Sequence, residues 1–192
     1  MAVSLGPSGL QLDNVLLPKT AQGTIVQYVT TSDGTRRKYT NANNNTWLSS
    51  YASINTTFTP KLADSKLVFW VEVHYGVDSA SGSGSVMWQM REGTTVMSEL
   101  NGSTGQTFPS FGQTRWYGAN SDHQYHTETA RINGGVINNT STSARTFNLR
   151  FRIQNGGRDV SINRDGSDSS DSNQGNHSPT LRSRMTIMEI AT

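Results

Sequence analysis

Between Lys66 and Tyr75 the chain keeps a strict two-residue period: Leu67, Phe69, Val71, Val73 and Tyr75 alternate with Lys66, Val68, Trp70, Glu72 and His74. Only an extended strand sends every second side chain to one face. The first set therefore lines a core. The second set is half apolar, so a neighbour is expected to cover it. The same period returns at Phe147, Leu149, Phe151 and Ile153, with Asn148, Arg150 and Arg152 facing the other way. These eight residues, Leu67, Phe69, Val71, Val73, Phe147, Leu149, Phe151 and Ile153, are the expected core. No stretch carries the 3.6-residue period of an amphipathic helix.

Weaker strand patterns lie at Thr24–Thr30, Trp47–Phe58, Val86–Arg91, Thr127–Ile132, Gly135–Ile137, Asp159–Asn163 and Arg184–Ile190. Turn signals separate them, among them Asp33-Gly34, Asn43-Asn44-Asn45 and Glu92-Gly93. The spacing predicts an all-β, jelly-roll-like β-sandwich over residues 23–192. Residues 1–22 lack alternation and are broken by Gly6-Pro7-Ser8-Gly9 and Pro18. They read as a short N-terminal arm whose Leu10, Leu12, Val15, Leu16 and Leu17 could dock on a partner particle. Arg36-Arg37-Lys38, the one basic run, reads as a solvated hairpin tip.

Composition narrows the chemistry. Ser, Thr, Asn and Gly fill 81 of 192 positions, and only 16% of residues are charged. That excludes a helical bundle, which would be rich in Ala, Glu, Lys and Leu. No apolar run approaches about 18 residues, so membrane insertion is not expected. The net charge of +2 is dispersed, which argues against nucleic-acid binding. The chain has no cysteine, which excludes disulfides, thiol nucleophiles and cysteine zinc sites. The start, Met1 to Pro7, does not read as a secretory signal.

No hydrolase motif is present. A polysaccharide-cleaving enzyme would need two carboxylates across a cleft. Glu72, on the half-apolar face of its strand, is open to two readings, a perturbed acid or a carboxylate paired to arginine. Asp165, Asp168 and Asp171 are weak metal candidates. Their spacing does not match a calcium loop, and a solvated loop explains them. No cofactor is expected. The best candidate for ligand contact is the Phe108–Tyr125 segment, where Arg115, Trp116, Tyr117, Asn120 and Asp122 combine flat aromatics with hydrogen-bonding groups suited to sugar. The competing reading is that these aromatics pack.

Several stretches together resemble a family of bacteriophage virion proteins, tail-fibre-like appendages with a C-terminal β-sandwich domain. Gly23-Thr24-Ile25-Val26-Gln27-Tyr28-Val29 is similar to the family's opening strand. Phe58-Thr59-Pro60-Lys61 followed by Ser65-Lys66-Leu67-Val68 resembles its next segment. Val160-Ser161-Ile162-Asn163-Arg164, a polar loop and Met185-Thr186-Ile187-Met188-Glu189-Ile190-Ala191 resemble its ending. The resemblance spans residues 23–192 as order and pattern. It implies a homotrimeric virion component with no enzymatic activity, made in the host cytoplasm and released by lysis. Its partners would be itself, other virion proteins and host surface polysaccharide. The short N-terminal segment departs from the long stalks of the family. That keeps a capsid decoration protein open beside a tail spike.

Overall fold

A computed structural model describes residues 3–6, 9–12, 15–16, 22–42, 47–48, 54–78, 84–101, 110–116, 127–154, 158–163 and 181–192. Among them there is no α-helix, and every strand pairing is antiparallel. No helix there is long and apolar enough to cross a membrane.

The N-terminal segment contains three short strands, β1 (Val3–Gly6), β2 (Gly9–Leu12) and β3 (Val15–Leu16), paired in that order. The absence of alternation had pointed to no regular element. The Gly6-Pro7-Ser8-Gly9 break instead joins β1 to β2, with Gly6 opposite Gly9.

The remaining strands are β4 (Ile25–Asp33), β5 (Arg37–Ala42), β6 (Thr56–Phe58), β7 (Ser65–Asp78), β8 (Gly84–Glu92), β9 (Thr95–Val96), β10 (Gly112–Trp116), β11 (Glu128–Asn139), β12 (Arg145–Gln154), β13 (Arg158–Ile162) and β14 (Ser183–Ala191). They form two sheets. One has the order β10-β8-β12-β6, with β9 on β8. The other holds β4, β14, β7, β13 and β5, with β11 on the far edge of β7. Phe69 of β7 meets Phe147 of β12 edge-on at 5.0 Å, and Tyr75 meets Trp88 at 5.3 Å, so the sheets pack face to face. All eight expected core residues are fully buried between them.

Two pairs of strands are halves of single rows. Ile162 pairs Tyr75 and Arg184 pairs Glu72, so β13 and β14 follow one another along the edge of β7 opposite β11. Between them the Asn163 N–H donates to His74 O (2.8 Å), and the His74 N–H donates to Ser183 Oγ (3.0 Å). The chain thus leaves the row at Asn163 and re-enters it at Ser183, at neighbouring positions. Alongside, β4 pairs β14 and β5 pairs β13. The Asp33-Gly34 turn is therefore not a hairpin. It is a three-residue step in a row that continues in the same direction. Arg37 and Lys38 consequently lie in a strand, not at a solvated tip. Arg37 pairs Asp33 at 2.7 Å, and Lys38 pairs Asp159 at 2.9 Å.

With those halves joined and the two-residue β9 set aside, eight rows remain and their pairing is nested: β4/β5 with β13/β14, β6 with β12, β7 with β11, and β8 with β10. Three expected strands change: one shortens and two merge. Trp47–Phe58 keeps only β6 and a single bridge from Leu48 to Phe151 among its described residues. Thr127–Ile132 and Gly135–Ile137 are one strand, β11, broken in register between Asn133 and Gly135. Gly134 there has φ +71°, which suits glycine. A Cβ on Gly135 would lie 2.6 Å from the Leu100 side chain.

A polar chain ties the two sheets at one end. Glu189 of β14 is fully buried. Its carboxylate accepts from the Lys61 N–H (2.9 Å), the Leu62 N–H (2.9 Å), Gln27 Nε2 (2.8 Å) and Ser65 Oγ (3.0 Å). Asn139 Nδ2 donates to Ser65 Oγ, Arg145 donates to Asn139 Oδ1, and Arg145 also binds Glu92 at 2.6 Å. Burial alone would push the Glu189 pKa up. The hydrogen bonds overcome that and hold it below the usual carboxylate value.

Candidate interaction face

The outward side chains of β7 are the half-apolar set seen in the sequence. The pairing of its neighbours arranges them into rows across four strands. Tyr28, Met188, Val68 and Val136 stand side by side. The next row is Thr30, Thr186, Trp70 and Asn133, and the next is Ser32, Arg184, Glu72 and Arg131. The bulge at Gly134 makes the first of these possible. The extra residue turns both Asn133 and Val136, three apart in sequence, to the same face.

Val68, at the centre of the first row, is buried and Met188 is half-buried, while the ends of the row and two neighbours are open to solvent. Tyr28 is 68% exposed, Ile25 54%, Val136 44% and Trp70 38%. A shallow depression of about 430 Å³ lies over Thr30, Trp70, Glu72, Asn133, Arg184, Thr186 and Met188. The Thr30 and Thr186 hydroxyls are 2.9 Å apart across the strands.

Glu72 does not point into the core. Arg184 Nε donates to its Oε2 at 2.8 Å, and Arg131 Nε lies 3.5 Å from Oε1. The Arg184 hydrogen bond chiefly holds the Glu72 pKa below the usual carboxylate value. Of its two readings, the carboxylate paired to arginine is the one seen, and it sits on the outer face. His74 follows in the same outward set, with Nδ1 2.9 Å from Thr129 Oγ1. Partial burial pushes its pKa down.

The outer face of the other sheet is different. Met87, Gln89 and Arg91 would share the exposed character of the β7 set by period alone. Gln89 is instead buried, as are Ser85 and Arg152, although all three are turned away from the core. Trp47 covers part of this face, with the Arg152 guanidinium carbon 5.9 Å from its ring centroid. The chain covers part of this side with its own residues.

The other sequence candidates fall as follows. Arg115 and Trp116 belong to β10, opposite Ser85 and Gly84, and so lie in an edge strand where an irregular segment was expected. Tyr117, Asn120 and Asp122 lie outside the described residues. Leu10 and Leu12 fall in β2, and Val15 and Leu16 in β3, while Leu17 lies outside the described residues. Asp165, Asp168 and Asp171 also lie outside them. Among the described residues no three His, Asp or Glu side chains converge as a metal site. Two asparagines are structural. Asn101 is buried and its amide bonds to Met90 N, Met90 O and Met97 O, and Asn139 is buried in the polar chain.

The residues that the sequence did not single out are Tyr28, Met188 and Val136. Their strands could not be placed beside β7 from local pattern. No family model matches the chain, and none of the curated proteins matches it.

Proposed function

We propose that this chain is a non-enzymatic structural protein of a bacteriophage-type virion, built as a jelly roll and assembled as a homotrimer. The observation that carries the reading is a group of exposed apolar side chains, Ile25, Tyr28, Trp70 and Val136, on one face of a sandwich whose opposite face the chain partly covers itself. A domain with this asymmetry suits a component that repeats in an assembly. The nested pairing of eight rows supports the jelly-roll description, because a long hairpin wrapped on itself pairs first with last and second with seventh. Glu72 held ionised between two arginines supports a role without acid catalysis, since a glycosidase acid needs a raised pKa.

In this reading residues 1–22 anchor the protein to the particle, and the segment around Arg115 and Trp116 contacts host polysaccharide. The protein is made in the host cytoplasm and leaves by lysis on the particle. Immunogold labelling of purified particles from lysed cells tests it. Label at regular positions on the tail or the capsid is expected, and the position separates a spike from a decoration protein. Antigen confined to the soluble fraction, with bare particles, would overturn the virion assignment.

A further inference from the structure

We propose that Arg91 and Arg150, on the outer face of the sheet that holds β8 and β12, bind the carboxylate groups of an acidic polysaccharide. The inference deepens the host-polysaccharide reading above by naming the class of sugar, and it rests on that reading.

The strands β6, β8, β9, β10 and β12 contain five arginines and one acid, Glu92, which Arg145 binds. This sheet therefore holds more positive charge than the formal +2 of the whole chain. Arg150 stands opposite Gln89, and Arg91 opposite Asn148, so the two arginines are diagonal neighbours about 7–8 Å apart on the outward side. Both are half-buried. Arg152, two residues further along β12, adds a third positive charge to the same side. Elsewhere the chain matches strand arginines with carboxylates, Arg37 with Asp33 and Arg184 with Glu72. Arg91 instead donates to neutral oxygens, from Nε to Gln89 Oε1 at 2.7 Å and from Nη1 to Thr94 O at 3.1 Å. No described residue engages the Arg150 guanidinium.

Like charges set diagonally and half out of water oppose one another. Burial pushes the Arg91 pKa down, and the charge of Arg150 pushes it further. An anion between the two would reverse both effects, and the guanidinium fork fits a carboxylate. The neighbouring strand favours a polymer of sugar acids over a lone small anion. β10, which carries Arg115 and Trp116, pairs β8 at Ser85 and Gly84. Arg115 is two strands across from Arg150 and four residues along, about 17 Å away. Several linked rings reach from one to the other. A duplex strand sets a phosphate about every 3.4 Å along its axis, closer than these arginines stand. A sugar polymer, with at most one carboxylate on each ring, is the sparser polyanion and the better complement.

Isothermal titration of the full chain with oligosaccharides of alginate, polygalacturonate and hyaluronate tests the inference. Dextran and methyl-esterified polygalacturonate serve as neutral comparisons, and an oligothymidylate as the other polyanion. At least one acidic oligosaccharide is expected to bind with a Kd below about 1 mM, more weakly as salt is added. Arg150→Gln, with unchanged β-sheet circular dichroism, is expected to bind it roughly tenfold more weakly. Lys66→Gln removes the same charge from an exposed position on the other sheet and should stay within about twofold of the wild type. If Arg150→Gln does not fold, Arg91→Gln takes its place. A folded Arg150→Gln that binds like the wild type would overturn the inference, and so would tighter binding of the oligothymidylate. Equal binding of a neutral oligosaccharide would overturn it too, while leaving the host-polysaccharide reading in place. Binding of no saccharide would remove both.

Discussion

Replacing Asn163 by alanine is expected to destabilise the fold by about 4 kcal/mol, measured by denaturant unfolding at fixed protein concentration. Its amide is fully used and fully buried. Nδ2 donates to Asp33 O at 2.8 Å and Thr35 O at 3.1 Å, and Oδ1 accepts from Ser183 N at 3.0 Å and Ser183 Oγ at 2.6 Å. Alanine would strand these partners, at about 1–3 kcal/mol for each buried group left unpaired. It would also have to hold φ at 59°, a left-handed conformation that costs a residue with a Cβ about 1–2 kcal/mol and that asparagine tolerates better. Asn163→Gly should therefore be about 1 kcal/mol less damaging than Asn163→Ala. This junction welds β13 to β14 and holds the step between β4 and β5. A loss below about 1 kcal/mol for the alanine variant would mean that the rows hold together without it.

Glu189→Gln is expected to cost about 3 kcal/mol at neutral pH. The change keeps the volume of the side chain and removes its charge. Either orientation of the new amide points an NH2 group at two donors, Lys61 N and Gln27 Nε2 on one side or Leu62 N and Ser65 Oγ on the other. The pH dependence separates this from simple packing. The native pKa of Glu189 is lowered, so its stabilisation is full above the unfolded value, about 4.3, and is lost as pH falls through the native value. The stability difference between wild type and Glu189→Gln should shrink steadily in that acid range. Glu72 and Glu92 titrate in the same direction in both proteins and drop out of the difference. A difference that stays constant through acid would show that the carboxylate charge is not what the Lys61–Ser65 loop reads.

Much of the sandwich is legible in the sequence wherever a strand keeps one face buried along its whole length. β7 and β12 do so, and their period alone names the centre of the core. β11 hides because the bulge at Gly134 resets the period, so one strand reads as two. The β4/β5 row hides for another reason. Asp33-Gly34 is a good turn signal, and only the pairing of distant Ser183 and Ile162 shows that the chain steps sideways and continues. Asn163 and Glu189 look like ordinary polar residues near strand ends, since the partners of Glu189, and Asp33 and Thr35 for Asn163, lie more than a hundred residues away, and even Ser183 lies twenty residues from Asn163.

The interaction face was half legible for the same physical reason. Val68 and Trp70 declare an apolar outer side on β7 by period. Tyr28, Met188 and Val136 join them only through nonlocal register. Gln89 shows the opposite case: a position that period turns outward is buried beneath the chain's own cover. Periodicity reports which way a side chain points. It does not report what lies beyond it.

The absence of cysteine makes one measurement decisive for the proposed homotrimer, in which copies of the chain would cover this face. Val136→Cys carries a single thiol in the apolar row, and Thr94→Cys carries one in an exposed turn as the reference. Reaction with a maleimide at micromolar protein concentration is followed for both, then repeated after dilution. If copies dock on the row, the Val136→Cys thiol is protected while the protein is assembled and becomes as reactive as the reference on dilution. If Val136→Cys reacts as fast as Thr94→Cys at every concentration, the face is open to water and the account is contradicted.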